Sequence, residues 1–257
     1  MDQRTKIFLV NKVRIFGTRH LRLKWLLIGL ILTACQPLPD ADQTVNAAHY
    51  QQFWIWGRVN PAPYLPHAKE LYILQGEIGF SRSQQQLVFS PQGMGFISLV
   101  PAKVWLVYRT TTLQWTPELM QALVRRLDSW QNYGNQVAGL QIDFDSATGH
   151  IKSYTEFLQR IRQQLPARYQ LSITGLMDWV NADQGSLALL QQVVDEVVIQ
   201  TYQGTQTIVH YQAYLPALVH LKMPFKIGLV QHGQWLAKPN FEKNPYFKGY
   251  VVFLLRQ

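Results

Sequence analysis

Asp143 and Asp145 close the run Val137-Ala138-Gly139-Leu140-Gln141-Ile142-Asp143-Phe144-Asp145. In an extended strand alternate side chains share a face, so Gln141, Asp143 and Asp145 project together while Leu140, Ile142 and Phe144 project the other way. Two carboxylates on one face repel each other unless they share a proton or bind a cation. That cost suits general acid chemistry, with Asp145 as the acid and its proton held by the charge of Asp143. The plain structural alternative has Asp145 capping the following turn and Asp143 accepting backbone amides.

Other side chains of suitable chemistry fall at the ends of apolar runs. Glu77 and Asp178 are further candidate acids. Trp54, Trp56 and Trp179 could stack on the apolar face of a sugar ring, and Arg109, Tyr202 and His232 could bond hydroxyls or a carboxylate. With eight Trp in the chain, most such rings are expected in packing. No histidine pair has helical metal-ligand spacing and no Gly-x-Ser-x-Gly turn occurs, so neither a metal nor a cofactor is expected. A cation on Asp143 and Asp145 would lack a third ligand.

The elements needed to position these groups alternate along the chain. Strands are expected at Phe53–Gly57, Leu71–Ile78, Val104–Thr110, Val137–Asp145, Gln170–Met177, Glu196–Tyr202, Lys226–Val230 and Gly249–Leu255. Helices are expected at Pro117–Tyr133, Ile151–Leu165, Gly185–Val194 and Tyr211–Leu221. Thr116-Pro117-Glu118 reads as a helix entry, with a capping hydroxyl, a proline at the first turn and an acid against the dipole. Eight short apolar strands with helices between the middle ones predict an α/β fold. A TIM-like (β/α)8 barrel is the first reading, and an open doubly wound sheet the alternative. No Gly-rich loop follows a strand, which counts against the second. The helix layer is expected to be incomplete or irregular, with a hairpin-like insertion over residues 80–101. In such a barrel, chemistry belongs at the carboxyl ends of the strands.

With that order of elements, Ala138-Gly139-Leu140-Gln141-Ile142-Asp143-Phe144-Asp145 resembles the fourth-strand motif of glycoside hydrolase family 18, Asp-Gly-x-Asp-x-Asp-x-Glu. Gly139 and Asp143 match it, Ala138 and Gln141 replace its first two acids, and Asp145 stands at its catalytic Glu. Ile199-Gln200-Thr201-Tyr202-Gln203-Gly204 resembles the sixth-strand Met-x-Tyr-Asp segment of that family. The resemblance implies that Asp143 and Tyr202 orient a neighbouring group on the sugar, with Gln141 and Gln200 beside them in the substrate site. Asp145 is one methylene shorter than Glu, which withdraws its oxygen by about 1.5 Å, and a misplacement of that order can cost ~100-fold in rate. Residues 137–255 are also similar to the domain-of-unknown-function family 3142 of bacterial TIM-barrel lipoproteins, through Gly139-Leu140-Gln141-Ile142-Asp143-Phe144-Asp145 and Pro224-Phe225-Lys226-Ile227-Gly228-Leu229.

The front of the chain has a different character. Arg4, Lys6, Lys12, Arg14, Arg19, Arg22 and Lys24 precede a short apolar run, Trp25 to Leu32, and then Leu32-Thr33-Ala34-Cys35. This is the layout of a secretory signal peptide over residues 1–34. Leu-Thr-Ala-Cys resembles the lipobox of bacterial lipoproteins, which implies acylation of Cys35, the only cysteine. Gln36 after the cysteine implies the outer membrane, facing the periplasm. Residues 35–48 read as a tether and 49–257 as one domain. The seven basic residues and one acid ahead of Cys35 account for six of the nine net positive charges, leaving +3. No basic stripe remains to bind nucleic acid. The expected partners are a polysaccharide or other glycan and, through the lipid, a membrane. The expected function is a barrel that binds and hydrolyses a polysaccharide, or a non-catalytic glycan-binding or scaffold lipoprotein.

Overall fold

A computed structural model describes residues 43–236 and 241–256. The expected signal peptide, Cys35 and the first part of the expected tether lie outside the described residues. The end of the tether does not behave as one. Thr44 bridges Gln234, Val45 donates its amide to the Gly233 carbonyl at 2.8 Å, and Val45 and Ala47 are buried. The packed part of the chain therefore already includes residues 43–48.

Eight parallel strands close on themselves. They are β1 (Gln52–Ile55), β2 (Glu70–Ser81), β4 (Lys103–Thr110), β5 (Gln136–Asp143), β6 (Gln170–Leu176), β7 (Glu196–Gln200), β10 (Phe225–Val230) and β11 (Phe247–Phe253). Each pairs with its neighbour in chain order, and β1 pairs with both β2 and β11, which shuts the barrel. The fold is an eight-stranded TIM-like barrel. The open-sheet alternative fails because no edge is left between β1 and β2.

The helix layer is irregular. Helix α1 (Pro117–Asn132) follows β4, α2 (Ile151–Gln164) follows β5, α3 (Gln184–Gln191) follows β6, and a single turn, α4 (Leu215–Leu218), follows β7. Thr116 caps α1 by accepting the Leu119 amide at 3.3 Å, with Pro117 in the first turn, as the sequence indicates. Tyr154, Phe157, Leu158 and Ile161 put the apolar stripe of α2 into the core. The helix expected over residues 211–221 is instead a 3-10 turn, Tyr211–Ala213, followed by α4. Between β2 and β4 there is no helix but a hairpin, in which β3 (Gln86–Pro91) runs antiparallel to the long end of β2. A two-stranded ribbon, β8 (Tyr202–Gln203) and β9 (Gln206–Thr207), follows β7. Among the described residues no helix is long and apolar enough to cross a membrane.

The barrel interior is polar and aromatic where many such barrels carry branched aliphatics. At the amino ends of the strands Lys226 Nζ meets Glu70 Oε2 at 2.5 Å and Glu196 Oε2 at 2.8 Å, and donates to the Tyr72 hydroxyl at 2.7 Å. Tyr72 and Ser172 both donate to Glu196 Oε1, at 2.8 and 3.0 Å, and Trp105 Nε1 donates to Glu70. Every charge in this buried set has a partner, the condition for tolerating it. One level up, Trp54 lies across the barrel against Gly228. A β-carbon at Gly228 would come within 2.8 Å of the indole, so a larger residue would displace it.

Candidate active site

Strand register delivers the charged groups of the mouth. Glu77, Arg109 and Asp143 are cross-strand neighbours on β2, β4 and β5, an acid-base-acid row at the carboxyl ends. Asp143 is the last residue of β5 and is 4% exposed. Its Oδ1 accepts the Thr174 hydroxyl at 2.7 Å, and its Oδ2 lies 3.8 Å from Arg109 Nε. Asp145 sits beyond the strand end, with 64% of its side chain exposed, and its Oδ2 is 3.9 Å from Arg109 Nη2. Both distances exceed a hydrogen bond, so Arg109 offsets part of the charge of the two carboxylates without locking either.

The alternation along β5 has physical consequences on both sides. Leu140 and Ile142 enter the apolar layer beneath the helices, and Phe144 packs on Tyr154 at 5.1 Å between ring centroids. Asp143 is thereby driven into the barrel. Burial pushes its carboxyl up to about 6, helped by the charges of Asp145 and Glu77 and opposed by the Thr174 hydroxyl and Arg109. The sequence placed the raised proton affinity on Asp145; the upward shift found here is that of Asp143. The Tyr202 hydroxyl is held well above its ordinary range by burial and by Asp143, so it remains a neutral donor.

A cavity of about 750 Å³ opens over these groups. Its wall includes Trp56, Arg109, Asp143, Asp145, Asp178, Gln200, Tyr202 and Phe253, supplied by the ends of six strands. Tyr202 stacks on Phe253 at 5.4 Å. Two polar atoms of wall residues, Trp56 Nε1 and Asp178 Oδ1, are buried without a hydrogen-bond partner among the described residues, while Asp178 Oδ2 accepts from Thr148 at 2.7 Å. A second cavity of about 510 Å³ runs along the β2–β3 hairpin, lined by Glu77 and sharing Arg109 with the first.

Of the residues singled out in the sequence, the mouth cavity gathers Asp143, Asp145, Tyr202, Trp56, Arg109, Asp178 and Gln200, with Glu77 adjoining. Others require correction as direct ligand contacts. Trp54 is fully buried, its Nε1 donating to Gln141 Oε1 at 2.6 Å. Gln141 in turn donates to Ser172 at 2.9 Å, so both ends of its amide are occupied below the mouth. Trp179 is buried, bonded to the Ser146 carbonyl at 2.8 Å and packed on Tyr154. His232 is exposed, in a left-handed turn with φ of 64°, and does not line the cavity. Asp145 and Tyr202 were expected within strands; both lie past the strand ends, Tyr202 on the β8–β9 ribbon. Reasoning from sequence missed Thr174 and Phe253. The alternation Leu171-Ser172-Ile173-Thr174 was a legible signal for Thr174, whereas Phe253 sits in a run too uniformly apolar to assign a face.

A family profile described as "Domain of unknown function (DUF3142)" matches residues 109–238, about half of the chain, and spans Arg109, β5, β6 and β7. The chain belongs to this family. The description assigns no reaction to DUF3142, but the matched segment contributes most of the mouth, from Arg109 to Tyr214. No curated protein matches the sequence. Among solved structures, the Bacillus cereus spore cortex-lytic enzyme SleL is similar at 15% identity and a TM-score of 0.43, over 69% of this chain. The chain spans about half (50%) of the length of SleL. A glycoside hydrolase family 18 N-acetylglucosaminidase from Paenibacillus barengoltzii gives 15% identity and a TM-score of 0.39, covering 65% of this chain and 62% of the other. The family 18 chitinase of Crocus vernus gives 11% and 0.41, covering 84% and 86%. At these scores the likeness bears on neither chemistry nor substrate.

Proposed function

We propose that the mouth cavity binds a polysaccharide and hydrolyses a glycosidic bond in it. The observation that carries this reading is Asp143, a buried carboxyl at a strand end, opening on a cavity with aromatic walls and raised to about 6. Such a group keeps its proton near neutral pH far more often than an ordinary aspartate, so it can protonate a leaving oxygen. Asp145, on the exposed side of Arg109, is the second carboxyl that glycoside cleavage needs, to activate water or to face the positive charge developing at the sugar. Tyr202 and Gln200 are placed to orient a substituent on the ring, which also suits the family 18 resemblance of these two strands.

One observation favours binding without cleavage: Arg109 stands between the two carboxylates and is within 4 Å of both. Incubation of the protein with neutral, acidic and amino-sugar polysaccharides separates the readings, with Asp143→Asn and Asp145→Asn alongside. The hydrolase reading expects new reducing ends from the parent and at least a ~100-fold loss in each variant. Binding of one polymer by all three proteins with no cleavage leaves the glycan-binding reading, and binding of none ends both.

We also propose that the barrel is carried on a lipid at Cys35, in the bacterial envelope and facing the periplasm. The basic start, short apolar run and Leu-Thr-Ala-Cys support this. Metabolic labelling with palmitate should mark the protein and should fail for Cys35→Ala; equal labelling of both would overturn the anchor.

A further inference from the structure

The mouth cavity carries more negative charge than a pair of reacting carboxylates accounts for. Asp143, Asp145 and Asp178 line it against a single cation among the described residues, Arg109, with no described lysine or histidine in the wall. Glu77 adds a fourth acid across the strand from Arg109. Arg109 is not consumed by any of them, since its two closest approaches are 3.8 and 3.9 Å.

Asp143 is more than nine-tenths buried, and while its Oδ1 takes the Thr174 hydroxyl, its Oδ2 accepts no hydrogen bond among the described residues. Asp178 repeats the pattern just past the end of β6, the strand beside β5, with Oδ2 bonded to Thr148 and the buried Oδ1 without a donor among the described residues. Two carboxylates thus each keep one oxygen in need of a donor. Among the described residues no three acids or histidines converge as a group able to hold a metal ion. Asp143 and Asp145 flank Arg109, and Asp178 joins them in the wall past the end of β6, so that more than one acid can meet donors on a single sugar-sized ligand. Trp56, Tyr202 and Phe253 supply apolar surface against which a pyranose face can lie.

We propose that the mouth selects glycans bearing free amino groups, de-N-acetylated hexosamine units, over N-acetylated, neutral and acidic ones. An ammonium offers three donors and a positive charge. An acetamide offers one donor and no charge, and a uronate or phosphate would meet like charge in a partly desolvated site. The inference rests on the glycan-binding reading of this cavity and adds the class of sugar.

Calorimetric titration of the full-length protein in detergent tests it, at neutral pH and low salt, where the Asp143 carboxyl is mostly ionised. The probes are chitosan, chitin, cellulose and polygalacturonate oligomers of equal length. The chitosan oligomer is expected to bind about tenfold more tightly than the chitin oligomer, with the ratio shrinking at high salt. Asp178→Asn should reduce that ratio several-fold. Equal or tighter binding of the acetylated, neutral or acidic oligomer overturns the selection while leaving a glycan site in place. Binding of none of the four overturns the glycan reading and this inference together.

Discussion

Asp143 is where fold stability and proposed chemistry oppose each other. Its carboxyl rises from an ordinary 3.8 to about 6 on folding, chiefly through burial. Between those pH values the folded chain binds more protons than the unfolded one. Stability from this group is therefore complete below pH 3.8 and is lost as the pH rises through 6. The shift corresponds to roughly 3 kcal/mol. Asp143→Asn should accordingly stabilise the fold at neutral pH by up to about 3 kcal/mol and flatten the acid-to-neutral decline, as read by urea unfolding at a series of pH values. The amide can still accept the Thr174 hydroxyl that Oδ1 accepts now. An unchanged pH dependence would mean that Asp143 is solvated. Strand alternation alone made the inward direction of Asp143 legible, because Leu140 and Ile142 could only face the helices. The fate of Trp54 was not legible. An inward aromatic reads alike whether it lines a mouth or plugs a barrel, and its depth follows from Gly228, 174 positions away in the chain and adjacent only once the barrel closes.

At the level of elements, β5 is held against β6 so tightly that only glycine fits at residue 139. A β-carbon there would fall 1.9 Å from the Gln170 carbonyl oxygen. Gly139→Ala should force the two strands apart, cost on the order of 3 kcal/mol, and disturb Asp143, which shares the strand. A melting curve and the Asp143 variants' activity loss, compared in one background, would show both effects. The Lys226 network offers a second test. Lys226→Met leaves Glu70 and Glu196 facing each other without their cation and should cost about 3–5 kcal/mol in chemical unfolding. Lys226→Met combined with Glu196→Gln should recover part of that loss, because one of the two unpaired charges is removed. Sequence periodicity located all eight barrel strands to within a few residues at each end, and α1 and α2 nearly entire. It overextended the strands into Asp145 and Tyr202, since an alternating pattern continues past the last ladder bond. It also extended a helix over residues 211–221, where Pro216 and short 3-10 geometry allow only one turn of α-helix.

At the scale of the molecule, the barrel closes through β1, a strand of four residues paired on both sides. Closure is what gathers acids from β2, β5 and the loop after β6 around one opening, although they lie 101 positions apart from Glu77 to Asp178. Counting eight apolar runs made the barrel legible, and the hairpin that replaces a helix after β2 was legible in the Gly- and Ser-containing run over residues 80–101. The buried ion set was not, because an inward Lys or Glu at a strand start reads like the solvated end of an element. All of the functional account comes down to a proton-holding carboxyl inside a glycan-binding mouth. A carbon-13 NMR titration of the Asp143 carboxyl, with and without chitosan, chitin and cellulose oligomers, measures that directly. The account predicts a midpoint at about 6 that moves when one of these oligomers is added. A midpoint at the ordinary 3.8 that none of them displaces would contradict it.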